Sequence, residues 1–342
     1  NNFHTMLKFI QGYINGPVLL TGAACSILAL FKLREQVNFG KIELKGEGKL
    51  ATVMANLSLQ NEDQEKRLEA TKKLLEFIQG QKKPEVADNR DIVVDHGGLK
   101  LLLQIISTPQ KQNDAILENA LLAIQLLVHG SSEQRHKFNA IGGIHSLFQL
   151  AISNTIKPRV RALALACLRT ASRFDISKRE LDDDVPFGSE ASLTIAKESS
   201  EDINTLLGFL ESDSQLLKST LGVIAHATQT VQGSSKFNEL NAVSGLRYHL
   251  MSMDAFIRKN ALISMANIVK HSIENSIDIF DESALHLVLK SLTKDPRLNL
   301  KIKRSIVDIL YAVADHYHKT GNQQACEEFA AMFQASKMAD HL

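Results

Sequence analysis

From about residue 50 onward, apolar residues recur at three- and four-residue spacing with polar residues on the opposite side, the pattern of amphipathic helices. Leu68, Leu74, Leu75 and Ile78 form one such stripe. Long Ala/Leu-rich segments follow at residues 119–127, 160–171, 218–227, 258–269 and 301–313, and each predicts a helix. Their centres lie roughly 41 to 45 residues apart, a period that marks a repeated supersecondary unit and so a solenoid. The one longer interval falls between 160–171 and 218–227.

Short motifs repeat in step with the helices. Val94-Asp95-His96-Gly97-Gly98-Leu99 matches Ala140-Ile141-Gly142-Gly143-Ile144, and Asn139 to Ile144 is read against Asn241-Ala242-Val243-Ser244-Gly245-Leu246. Glycine at this point permits a tight bend between one helix and the next. Pro158-Arg159-Val160 matches Pro296-Arg297-Leu298, each placed where an apolar helix is about to start and a missing N–H is harmless. Residues 138–171 carry the clearest copy of the whole plan. The long interval maps onto residues 176–202, rich in Asp and Glu with Pro186 and Gly188, which read as an acidic loop inserted between repeats.

Residues 9–31 carry no charge, whereas Lys32, Arg34 and Lys41 follow. At about 1.5 Å per residue the segment reaches the roughly 30 Å of a hydrocarbon core. It fits a membrane anchor, a buried first helix capping the solenoid, or a signal peptide. As an anchor, its flanking cations place the C-terminal body in the cytosol, at an organelle surface such as the mitochondrial outer membrane or endoplasmic reticulum. Residues 1–35 form this N-terminal segment, 36–49 a Gly/Lys-rich linker, 50–320 the repeats and 321–342 a polar helical cap.

The chain has 342 residues, 44% of them hydrophobic and 23% charged, with a net charge of +1. That balance offers no global field for nucleic acid, and no aromatic interleaving accompanies the basic residues. Cys25, Cys167 and Cys326 are too sparse for a disulfide framework and form no CxxC pair. Cys167, among Ala164, Leu165 and Leu168, reads as a buried small hydrophobe. Gly46-Glu47-Gly48-Lys49 fails as a phosphate loop, because Leu50 stands where Ser or Thr is required. His316 and His318 point to different sides of a helix and do not share a metal. No cofactor and no catalytic constellation is expected.

The Gly-Gly-hydrophobic opening, the turn with Pro and the V-x-x-x-A-x-x-A-L helix resemble the armadillo repeat family over about six units. The resemblance implies an all-α fold, a right-handed α-solenoid superhelix of three helices per unit, with the third helices lining a concave groove. Peptide binders of the family carry an Asn ladder on those helices. The matching positions here are Gln125, Arg169, His226, Asn267 and Tyr311, so a single Asn remains. Cations at the starts of the long helices (Arg159 and Arg161; Arg258 and Lys259; Lys303 and Arg304) would share that groove and suit an acidic peptide or helix. The expectation is a non-enzymatic scaffold or adaptor that binds protein. The alternative is a nucleotide-exchange factor for seventy-kilodalton heat-shock chaperones, which the segments 69–75, 96–99 and 142–150 loosely resemble.

Overall fold

The computed structural model describes residues 47–58, 63–79, 89–173, 189–212, 214–272, 288 and 300–335. The segment 9–31, most of the linker and Pro296 lie outside these residues. The described residues form helices and turns, and none of the helices is long and apolar enough to cross a membrane.

Four of the units begin with a short helix, bend, run through a second short helix and end in a long third one. The first comprises α3 (Asn89–Asp95), α4 (Gly98–Ser107) and α5 (Asp114–Val128). The second comprises α6 (Ser132–Ala140), α7 (Gly143–Ile152) and α8 (Pro158–Ala171). Then come α9 (Ser189–Ala196), α10 (Ser200–Gly208) and α11 (Ser214–Ala227). A fourth unit has α12 (Val231–Glu239), α13 (Ala242–Arg247) and α14 (Ala255–Ser272). Before them stand α1 (Glu47–Leu57) and α2 (Gln64–Gln79), and after them α15 (Leu300–Lys319) and α16 (Gln323–Ala335).

The helix starts are written in side chains. Asn113 Oδ1 accepts from Ile116 N at 2.9 Å, Ser131 Oγ from Gln134 N at 3.2 Å, Ser199 Oγ from Asp202 N at 3.1 Å and Thr230 Oγ1 from Gly233 N at 3.1 Å. Each satisfies an N–H that the helix itself leaves unpaired. Pro158 opens α8, where its fixed φ suits the first turn.

In three of these units the bend between first and second helices is made by a left-handed residue. Gly97 (φ 82°) and Gly142 (φ 87°) supply it in two units, and Asn241 (φ 56°) in a third. This corrects the expected register of that copy by three residues. Gly142 corresponds to Asn241 and not to Ser244, and Phe138 corresponds to Phe237, both fully buried. Asn tolerates the left-handed region better than other non-glycine residues, which is why the motif survives without its glycine pair.

A second correction concerns residues 176–202. From Ser189 onward the chain is helical, as α9 and α10. Ser192 and Ile195 turn inward, and Ser192 Oγ donates to the Ala227 carbonyl at the end of α11 and bonds Thr230 Oγ1 at the start of the following unit. The Ser/Glu-rich composition hid a helix whose buried face is only two or three residues wide.

The long helices α2, α5, α8, α11, α14 and α15 pack side by side in chain order, while α4 and α7 cover one side of the row. One apolar cluster runs the length of the stack, from Leu50 through Leu121, Phe148, Leu165, Ile224 and Met265 to Phe333. Each unit buries its apolar face on its neighbours, the arrangement that makes a solenoid stable only as an array. At the C-terminal end Tyr317 of α15 meets Phe329 of α16 edge to face, 6.4 Å between centroids.

Candidate protein-binding groove

Gln125, Arg169, His226, Asn267 and Tyr311 fall one on each of five successive long helices, α5, α8, α11, α14 and α15, and all five are half-buried. Successive long helices are neighbours in the stack, so these five residues lie one on each of five adjacent helices. Its polar groups do not all stand free. His226 Nδ1 lies 3.1 Å from Ser172 Oγ at the end of α8. Asn267 Nδ2 donates to the Ala225 carbonyl at 3.4 Å and Thr228 Oγ1 at 3.3 Å, both at the end of α11. Each of these side chains stitches its helix to the C-terminal end of the one before, His226 through a hydroxyl and Asn267 through a carbonyl that the helix end leaves unpaired.

The expected cations resolve into different roles. Arg159 pairs with Glu118 of α5 at 3.0 Å, and Lys157 with Asp114. Lys218 of α11 pairs with Asp254, just ahead of α14, at 2.7 Å. Cations in the first turn oppose the helix dipole, and acids at the starts of adjacent helices offset that cost. Arg161 reaches back to the Ala151 carbonyl at the end of α7 (3.1 Å) and lies over the Phe209 ring, 4.8 Å from its centroid. Arg258 is buried, 8% exposed, and its guanidinium donates to the carbonyls of Ser252 (2.6 Å) and Met253 (3.1 Å). It braces the turn before α14 and does not face the groove. Lys259 and Lys303 are half-buried on α14 and α15; the side chain of Arg304 lies outside the described residues.

Arg169 differs from all of these. Its stem crosses the next helix at Gly222, where an added Cβ would stand 2.4 Å from Arg169 Cδ. Its guanidinium then lies over Phe256 of α14, 5.3 Å from the ring centroid. A side chain can span three adjacent helices only on the open face of the row, so this contact identifies that face. Burial pulls the Arg169 pKa below its usual value. Leu122, three residues before Gln125 on α5, is on the same face, and it and Phe256 are among the few exposed large hydrophobics (37% and 38%).

Gly222 and Phe256 were not anticipated. A lone glycine inside an Ala/Leu-rich helix is the signal that could have found the first; Phe256 carries none. A second concavity, of about 420 Å³, lies between α10 and α13, lined by Leu207, Leu210, Asn241, Tyr248 and His249. It sits apart from the long-helix row. Among the described residues no three His, Cys, Asp or Glu side chains are grouped to hold a metal ion. Cys167 is fully buried and donates to the Leu121 carbonyl at 3.0 Å, and burial pushes its thiol pKa far up, so it is no nucleophile.

No known family profile and no curated protein matches the sequence. Solved structures do. A designed armadillo repeat protein is 20% identical at TM-score 0.59, over 77% of this chain and 99% of its own. Computationally designed armadillo repeat proteins for modular peptide recognition are 18% identical at TM-score 0.58, over 77% of this chain and 99% of theirs. A designed armadillo repeat protein in complex with the peptide (KR)4 is 19% identical at TM-score 0.52, over 78% of this chain and 99% of its own. These likenesses concern the fold: this chain is an α-solenoid of the armadillo-repeat type.

Proposed function

We propose that the protein is a non-enzymatic scaffold that holds a segment of a partner protein along the open face of its long helices. The observation that carries this reading is the face itself. Five half-buried, chemically varied side chains stand one per helix across it, flanked by exposed Leu122 and Phe256. Such a surface offers an extended segment a series of subsites and no reacting group. The designed relative with bound (KR)4 supports peptide binding as a use of the fold. The basic character of the present face, through Arg169 and Lys259, favours acidic segments instead. No observation on this face favours the nucleotide-exchange alternative.

The test is a photo-crosslinking residue placed at position 122, on the open face, or at position 100, exposed on α4. Adducts with protein partners are expected at 122 and not at 100. Adducts at 100 alone, or at both equally, would overturn the assignment.

A further inference from the structure

We propose that Arg169, held across Gly222 and over Phe256, is the point of the groove that receives one carboxylate side chain, Asp or Glu, of the bound partner segment. The inference rests on the groove reading above and adds the chemistry of a specific subsite.

Arg169 is half-buried, and its guanidinium carries five N–H donors. Among the described residues no carboxylate, carbonyl or hydroxyl accepts from it; its one described partner is the Phe256 ring. The other arginines on this row are supplied from within the fold, Arg159 by Glu118, Arg161 by Ala151 and Arg258 by Ser252 and Met253. A partly desolvated cation without acceptors is costly, and the cost is relieved when an acceptor arrives. The acids at the helix starts cannot serve, since Glu118 and Asp254 are paired with Arg159 and Lys218.

The geometry also lowers the cost of binding. Arginine normally loses considerable side-chain freedom when it grips a ligand. Here the stem already lies against Gly222 and the guanidinium over an aromatic face, so the side chain is organised before the partner arrives. The planar fork matches a carboxylate through two parallel N–H···O bonds. Lys259, one turn beyond Phe256 on the same face of α14, adds positive field. Nucleic acid would need a track of uncommitted cations, whereas most of those on this row are internally paired.

The experiment uses the full chain and a phage-displayed library of random dodecapeptides. Enriched sequences are resynthesised with acetylated and amidated ends, so that only side-chain carboxylates remain. Selection on the native chain is expected to fix Asp or Glu at one position, and changing that Glu to Gln weakens binding by about tenfold or more. With Arg169→Gln the same change costs less than about twofold, and selection on Arg169→Glu recovers Lys or Arg at that position. Arg169→Lys retains the charge without the fork and shows an intermediate penalty. Phe256→Leu weakens binding while keeping the acidic preference, and serves if Arg169→Gln fails to melt cooperatively. Enriched peptides with no acidic position, or a Glu-to-Gln penalty undiminished in Arg169→Gln, overturn the inference and leave the groove reading standing. No enrichment on the native chain overturns both.

Discussion

Arg169 of α8 and Phe256 of α14 meet across an intervening helix, guanidinium carbon 5.3 Å from the ring centroid, because Gly222 of α11 leaves room beneath. The contact links three successive units. It predicts an unusual coupling. Gly222→Ala should stabilise the helix by about 0.5–1 kcal/mol when Arg169 is already Ala, the ordinary gain for that exchange. In the native background the new Cβ displaces the arginine and most of that gain disappears. Urea unfolding of the four proteins measures this, and equal gains in both backgrounds would contradict the overlay.

Arg258 and Arg159, both arginines near the starts of long helices, should behave oppositely. Arg258→Ala removes the buried guanidinium that donates to the Ser252 and Met253 carbonyls and should cost about 1–3 kcal/mol. Arg159→Ala removes a pair whose arginine is 79% exposed and should cost at most about 1 kcal/mol. Thermal or urea melts of the two variants separate them.

Asp254 is the N-cap of α14, accepting from Phe256 N at 2.8 Å and Ile257 N at 3.4 Å. The Lys218 ammonium bonded to it, with those N–H groups, holds its carboxyl below the usual carboxylate range. Asp254→Ala should cost about 1 kcal/mol at pH 7. A depressed carboxyl contributes above its unfolded pKa, and the contribution is lost as pH falls through the folded value. The gap between native and variant should therefore narrow below about pH 4.

Cys167 gives a prediction at the other end of the pH scale. Burial raises its thiol pKa, so above about pH 8.5 the unfolded chain loses a proton that the folded chain keeps. Stability then falls with rising pH, by up to about 1.4 kcal/mol per unit from this residue. Chemical denaturation from pH 8 to 10 should show a steeper decline in the native chain than in Cys167→Ala. Parallel declines would show that the thiol titrates alike in both states.

The architecture was legible because the repeat makes the same demand several times over: a left-handed bend, a helix start, a small-residue face. Where one demand was met by another residue, the reading slipped. Asn241 replaces a glycine, and Ser244-Gly245 imitated the missing pair, although Lys236-Phe237-Asn238 against Lys137-Phe138-Asn139 carries the true register. The helix α9 was hidden by the acids in and around it; Glu190 within it reaches back to His136 (2.9 Å) and Glu198 just beyond it to His145 (2.8 Å), both in the preceding unit.

The helix on which each of the proposed row residues lies was legible, but not what its side chain does there. Whether a cation is available depends on partners a repeat away, such as Glu118 for Arg159, which no local pattern announces. Arg258 and Arg169 look alike in sequence, each on an Ala/Leu-rich helix; one is consumed by its own turn and the other is left over a ring.

The open face of the long helices should bind protein segments. Methyl NMR of the full chain, titrated with a library-selected dodecapeptide, tests it most directly. The Leu122 methyls on α5 are expected to shift while those of Leu103 on α4 do not. Shifts at Leu103 with none at Leu122 would contradict it.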